Sequence, residues 1–136
     1  MTSSGRRLIV AMLVLFVCDV IGGLIAVASG DETWGTAWGF DTHSTVPLPM
    51  GAGQLVLAWL AARDVRPRVG FVAAVLLSAV CLMSVLFGLF DGDLTGGVAS
   101  DGFVSWGFAW AIVLLCATAL VGVLAFVQAR QLRRLR

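Results

Sequence analysis

One stretch near the N-terminus, residues 6–29, reads RRLIVAMLVLFVCDVIGGLIAVAS. Two arginines precede an apolar run, and a single aspartate, Asp19, interrupts that run near its middle. A bilayer core about 30 Å thick needs roughly 20 apolar residues in a helix. The stretch is therefore long enough to cross a membrane once. It also raises the question of what an ionisable side chain does at that depth.

The whole chain has the same apolar character. It contains 136 residues, of which 60% are hydrophobic and 12% are charged, and its mean hydropathy is +0.99. Soluble domains carry about 25% charged residues, so this composition excludes a soluble domain, a disordered chain and a nucleic-acid binder. The cysteines Cys18, Cys81 and Cys116 all lie in apolar runs, which argues against a disulfide framework. We expect an integral membrane protein whose first partner is the lipid bilayer.

Hydropathy predicts an all-α, up-down bundle of four transmembrane helices in a single domain, residues 1–136. Helices are expected because lipid offers no hydrogen-bond partners, so each backbone N–H and C=O group must be paired within the protein. The predicted spans are residues 8–29, 46–62, 70–90 and 104–128. The predicted outer loops are residues 30–45 and 91–103, and a basic tail follows at residues 129–136.

The charged residues predict the orientation of this bundle. All nine basic residues are arginines, and they lie before span one, between spans two and three, and after span four. Six of the eight acidic residues lie in the two loops on the other side. Cytoplasmic loops carry the arginine excess, so we expect both termini in the cytoplasm. Because arginine without lysine suggests a GC-rich bacterial gene, we expect the bacterial inner membrane.

Residues 6–29 also fit a second interpretation, a cleaved signal peptide. Arg6 and Arg7 would form its basic start, and residues 26–28, Ala-Val-Ala, match a cleavage site of the A-x-A kind. Cleavage would leave three spans. The run is longer than the usual apolar core of a signal peptide and contains Asp19, so we expect a retained helix.

Asp19 is the candidate centre of any chemistry inside the membrane. A carboxylate at mid-bilayer costs about 2.5 to 3.5 kcal/mol to insert, so it must face the bundle, protonate or find a partner. Gly22 and Gly23 follow it at helical spacing, which aims Asp19 between helices. Polar residues near the middle of each of the other predicted spans lie at a similar depth in the bilayer. They predict a polar layer with Asp19, which is either a structural clasp between helices or a transport site. Its predicted members are Asp19, Gln54, Ser78, Cys81 and Thr118.

The segment Cys-Asp-Val-Ile-Gly, residues 18–22, resembles the motif around the first-helix carboxylate of the small multidrug resistance transporters. The resemblance implies that Asp19 is a shared site for a proton and a cationic drug in an antiparallel dimer. It covers five residues. The long first loop, the one-sided arginines and the missing later motifs depart from that family, and the chain is assigned to no family.

Aromatic and basic side chains near the span ends are predicted to anchor the protein at the headgroups. These membrane-interface residues are Trp34, Trp38, Trp59, Trp106, Arg130, Arg133 and Arg134. The basic tail is expected to lie along an anionic leaflet.

Motifs for catalysis or metal binding are weak. Residues 91–102 begin like a calcium loop, but Gly102 stands where a bidentate glutamate is required. His43 is the single histidine, which is too few for a zinc site without further ligands. No nucleotide loop, nucleophile elbow or HExxH motif occurs. We therefore expect no enzyme, no metal and no cofactor.

Two functions remain open from the sequence. The first is an accessory or scaffold subunit that acts through its helix faces and outer loops, as a homo-oligomer or in a larger membrane complex. The alternative is a proton- or cation-coupled transporter or channel-like oligomer centred on Asp19. No nucleic-acid partner is expected.

Overall fold

The computed structural model describes residues 3–30, 33–39, 47–63, 66–90 and 106–134, the last range with side chains from residue 109 onward. These residues form four helices: α1 Ser3–Ser29, α2 Leu48–Ala62, α3 Pro67–Phe90 and α4 Trp106–Arg134. The prediction of an all-helical chain with four helices is confirmed for the described residues. Three of these helices are long and apolar enough to cross a membrane, and α2 is shorter.

Proline and glycine define several helix ends. Pro47 precedes α2, and Pro67 is the first residue of α3. Proline suits these positions because the first N–H groups of a helix have no partner within it. Ser29 ends α1, and Gly30 follows with a φ of +83°, the left-handed conformation that terminates many helices.

Three helices extend further than the apolar runs predict, and α3 begins at Pro67, three residues before its predicted span. α1 begins at Ser3, five residues before the predicted span, and α4 continues to Arg134 through most of the predicted tail. The extension of α4 has a packing cause, since Ala129 and Leu132 lie three residues apart and are both buried. The basic segment is therefore a continuation of α4 that packs on the bundle.

Neighbouring helices run antiparallel. A Cβ on Gly5 would lie 3.1 Å from Cα of Ala62, and one on Gly70 would lie 3.2 Å from Cδ1 of Leu132. These contacts gather the start of α1, the end of α2, the start of α3 and the end of α4 at one end of the bundle, which we call the arginine end. The described arginines all lie there: Arg6, Arg7, Arg63, Arg66, Arg68, Arg130, Arg133 and Arg134.

The core lies between one face of α1 and small residues on the other helices. Along α1 the buried side chains recur every three or four residues, at Leu8, Met12, Leu15, Asp19 and Gly22. This spacing defines one helix face. The residues that complete the core from the other helices are mostly small: Ala58, Ala61, Ala73, Ala74, Leu77, Cys81, Val121, Ala125 and Ala129.

The opposite face of each helix is apolar too. Val17 on α1, Val56 on α2, Val72 on α3 and Leu120 on α4 are all more than half exposed. A helix that is hydrophobic on every side needs an apolar environment on its outer face as well. The exposed apolar surface thus agrees with the three membrane-length helices.

A turn at residues 33–39 packs against α1 beyond the start of α2, where the short α2 does not reach. The 15 residues of α2 reach about 22 Å at 1.5 Å per residue. The Leu48 N–H donates to the carbonyl oxygen of Trp38 at 3.0 Å, which joins the turn to the start of α2. The indole of Trp38 lies against Gly23 of α1, where a Cβ would collide with the ring. Trp38 thus covers α1 beyond the start of α2.

We predict that Gly122→Leu lowers the free energy of unfolding by about 1–3 kcal/mol, because overfilling a packed contact displaces its neighbours. A Cβ on Gly122 would lie 3.1 Å from Cβ of Cys81 across the α3–α4 interface. Gly53→Leu is the matched control, since nothing lies within 4 Å of a Cβ there. Unfolding in detergent micelles measures both variants. Equal effects of the two would contradict close packing of α3 on α4.

Candidate functional site

The candidate site is the set of polar side chains inside the bundle. Asp19 is 2% exposed and shares a face of α1 with Leu15 and Gly22. Gln54 on α2 is 3% exposed, and among the described residues neither atom of its amide has a hydrogen-bond partner. An amide buried in this way costs roughly 1–3 kcal/mol. Gln54 is therefore the polar group that the described chain satisfies least.

The register of α1 against α2 sets the relative depth of Asp19 and Gln54. A Cβ on Gly51 would lie 3.4 Å from Cδ2 of Phe16, so these two residues face each other. Asp19 lies one turn beyond Phe16, away from the arginine end, whereas Gln54 lies one turn beyond Gly51, toward it. Their backbone positions therefore differ by six residues of rise, or about 9 Å along the bundle.

The direction of the side chains reduces this separation. Each Cα–Cβ bond tilts toward the N-terminus of its own helix. For Asp19 that direction is toward the arginine end, and for Gln54 it is away from it. The two side chains thus extend toward one another from different heights along the bundle axis. The predicted polar layer is therefore staggered between α1 and α2.

The other predicted members of the layer have partners in α4. Ser78 donates from Oγ to the carbonyl oxygen of Gly122 at 3.1 Å, and Cys81 packs against the same glycine. Thr118 donates from Oγ1 to the carbonyl oxygen of Leu114, one turn earlier in its own helix, at 2.8 Å. Ser78 and Cys81 therefore belong to the α3–α4 interface, and Thr118 bonds within α4.

Two further polar contacts join helices and involve residues outside the predicted layer. Gln128 is fully buried, and its Nε2 donates to the carbonyl oxygen of Ala61 at 3.0 Å. Trp110 donates from Nε1 to the carbonyl oxygen of Cys18 at 3.2 Å, one residue before Asp19. Helix spacing alone could have indicated Gln128, because it follows the buried Val121 by seven residues and so shares its face.

The predicted interface residues divide into packed and exposed groups. Trp38 is packed on α1, and the exposed Trp34 stands beside it with a ring-centroid distance of 5.9 Å. At the arginine end, the guanidinium carbon of Arg63 lies 3.7 Å from the ring centroid of the half-exposed Trp59. Trp106 begins α4, and its side chain lies outside the described part. Arg130, Arg133 and Arg134 are exposed.

Metal binding has no candidate among the described residues, since no three of their His, Cys, Asp or Glu side chains form a group that would hold an ion. His43 and the loop at residues 91–102 lie outside the described ranges. The three described cysteines are free thiols: Cys18, Cys81 and Cys116.

No protein-family model, curated protein or solved structure matches this chain. Its polar interior is therefore the basis for a functional proposal. That interior consists of contacts from side chains to backbone carbonyls, most of them on neighbouring helices, together with the buried side chains of Asp19 and Gln54.

We predict different effects on stability when each of the two buried glutamines is replaced by leucine. Gln128→Leu should lower the free energy of unfolding by roughly 1–2 kcal/mol, because it leaves the Ala61 carbonyl without its side-chain donor at the end of α2. Gln54→Leu should leave stability unchanged or raise it, because leucine replaces an amide that has no described partner. Unfolding in detergent measures both variants. A strong loss of stability in Gln54→Leu would show that this amide has a partner of its own.

Proposed function

We propose that the protein is a multi-pass membrane protein with four crossings and with its arginine end in the cytoplasm of a bacterial inner membrane. The support for the orientation is that the eight described arginines lie at one end of the bundle, as the positive-inside rule requires. α2 is the shortest crossing in this proposal. The turn with Trp38 covers the part of α1 that extends beyond the start of α2.

Within the membrane, we propose the role of an accessory or scaffold subunit. The observation that carries this proposal is that polar side chains inside the bundle form hydrogen bonds between helices. Ser78, Trp110 and Gln128 each donate to a backbone carbonyl of a neighbouring helix. In membrane proteins such bonds hold helices together, and in this bundle they join α3 to α4, α4 to α1, and α4 to α2. The exposed apolar faces and the outer turn then remain as the surfaces for a partner membrane protein or a second copy.

A second candidate is proton- or cation-coupled transport. It is favoured by the burial of Asp19 on α1 and of the Gln54 amide on α2, which has no hydrogen-bond partner among the described residues, because ionisable residues inside membranes commonly mark transport pathways. In this alternative, Asp19 would exchange a proton and Gln54 would orient the bound species. Four helices enclose little room, so this role would use an oligomer.

Asp19→Asn separates the two candidates, because asparagine keeps the size and polarity of the side chain and removes its ability to ionise. The protein is reconstituted in vesicles that contain a pH-sensitive dye, and a potassium diffusion potential drives proton entry. Oligomeric state and copurifying proteins are measured in parallel. Ser78→Ala is the control, since it removes a buried hydroxyl without changing α1.

For a scaffold, we expect no proton flux above that of empty vesicles and unchanged assembly in Asp19→Asn. Flux in the parent protein that Asp19→Asn loses and Ser78→Ala retains, with assembly intact, would contradict the scaffold role and support transport. Loss of assembly in Asp19→Asn without any flux in the parent would assign Asp19 to helix packing and exclude the transport role.

A further inference from the structure

Three arginine-bearing segments lie at one end of the bundle, and two of them supply three arginines each. The first is the connection from α2 to α3, with Arg63, Arg66 and Arg68, and the second is the end of α4, with Arg130, Arg133 and Arg134. We call these six residues the two-segment arginine surface. They are distant in sequence, and only the fold brings them to the same place.

Two contacts hold the segments together. Gln128 donates to the carbonyl oxygen of Ala61, two residues before Arg63. Leu132 packs against Gly70, which follows Arg68 by two residues. A Cβ on Gly70 would lie 3.2 Å from Cδ1 of Leu132. Each contact is buried, so the end of α4 is fixed beside the α2–α3 connection.

The charges of this surface are available for an external partner. All six arginines are exposed, and none of them has an ion-pair partner among the described residues. Asp64 is the single acidic residue in the sequence of the two segments. Six guanidinium groups at one end of the bundle repel one another, and a polyvalent anion would relieve that repulsion.

Arg63 is held in a position that suits an anion at the headgroup level. Its guanidinium lies over the ring of Trp59 at 3.7 Å, and this stacking uses the flat face of the group. The N–H groups at the guanidinium edge stay free to bind a phosphate in bidentate fashion. Trp59 is itself an indole at the end of an apolar helix, the usual place of an interface anchor.

We propose that the two-segment arginine surface binds the headgroup of an anionic phospholipid and prefers a headgroup that carries two phosphates. Each segment supplies three arginines, so each one is able to hold one phosphate. Basic surfaces between transmembrane helices bind lipid headgroups of this kind. The inference goes beyond the scaffold role and rests on the proposed membrane insertion.

The test measures thermal unfolding and bound lipid for the full chain in a neutral detergent. The added lipids are a diphosphatidylglycerol, a phosphatidylglycerol with one phosphate, and a zwitterionic phosphatidylcholine. For the parent protein we expect the unfolding midpoint and the retained lipid to increase from phosphatidylcholine to phosphatidylglycerol to diphosphatidylglycerol. Equal effects of the two anionic lipids would overturn the two-phosphate preference, and no effect of either would overturn the site.

Charge-matched variants locate the site. Arg133→Gln with Arg134→Gln removes two charges from the proposed surface, and Arg6→Gln with Arg7→Gln removes two from the same end of the bundle. The first variant should lose the preference for diphosphatidylglycerol, and the second should keep it. Equal loss in both would show a general effect of charge and would overturn the site. Unfolding in phosphatidylcholine verifies that both variants fold.

Two additional arms exclude other anions and test insertion separately. Soluble pyrophosphate that stabilises the protein as strongly as diphosphatidylglycerol would overturn the assignment to a lipid, and so would an acidic peptide that does the same. Resistance to extraction from membranes by alkaline carbonate reports on insertion alone. A protein that resists extraction and shows no lipid preference would contradict only this inference.

Discussion

A buried hydrogen bond from the Gln128 amide to the Ala61 carbonyl oxygen joins α4 to the end of α2. The last four carbonyl groups of any helix have no partner within it, and in an apolar bundle water does not supply one. Ala61 belongs to this last turn, because α2 ends at Ala62. The same bond holds the continuation of α4 beside the α2–α3 connection, so the arrangement of the arginine end depends on it.

Small residues allow the bundle to form such bonds. Gly5 against Ala62, Gly70 against Leu132 and Gly122 against Cys81 bring the backbones close enough for side chains to reach carbonyls of the next helix. In the membrane location that we propose, lipid supplies no hydrophobic force between helices. Close packing and a few polar contacts therefore have to provide the association, and the exposed apolar faces contribute nothing to it.

Much of the fold could be predicted because it depends on local composition. The apolar runs predict the four helices, and the arginine positions predict which helix ends lie together. The apolar pattern does not predict the continuation of α4 to Arg134, because the cause is tertiary, the burial of Leu132 against Gly70. A hydropathy profile also counts the arginines of this segment as an end to the span.

The candidate site was harder to predict for a geometric reason. The burial of Asp19 follows from its spacing to Gly22, which the sequence displays. Its depth relative to Gln54 depends on how far α1 slides along α2, and the contact of Phe16 with Gly51 sets that distance. The position of Trp38 on Gly23 likewise depends on the path of a loop, which periodicity does not describe.

The four-crossing bundle requires that α2, with only 15 residues, crosses the membrane and thus returns the chain to the side of its N-terminus. Labelling with a membrane-impermeant thiol reagent tests it in a chain whose native cysteines are replaced by alanine. Thr33→Cys should be labelled from one side, and Ser3→Cys and Arg66→Cys from the other. Labelling of Thr33→Cys and Arg66→Cys from the same side would contradict the four-crossing bundle.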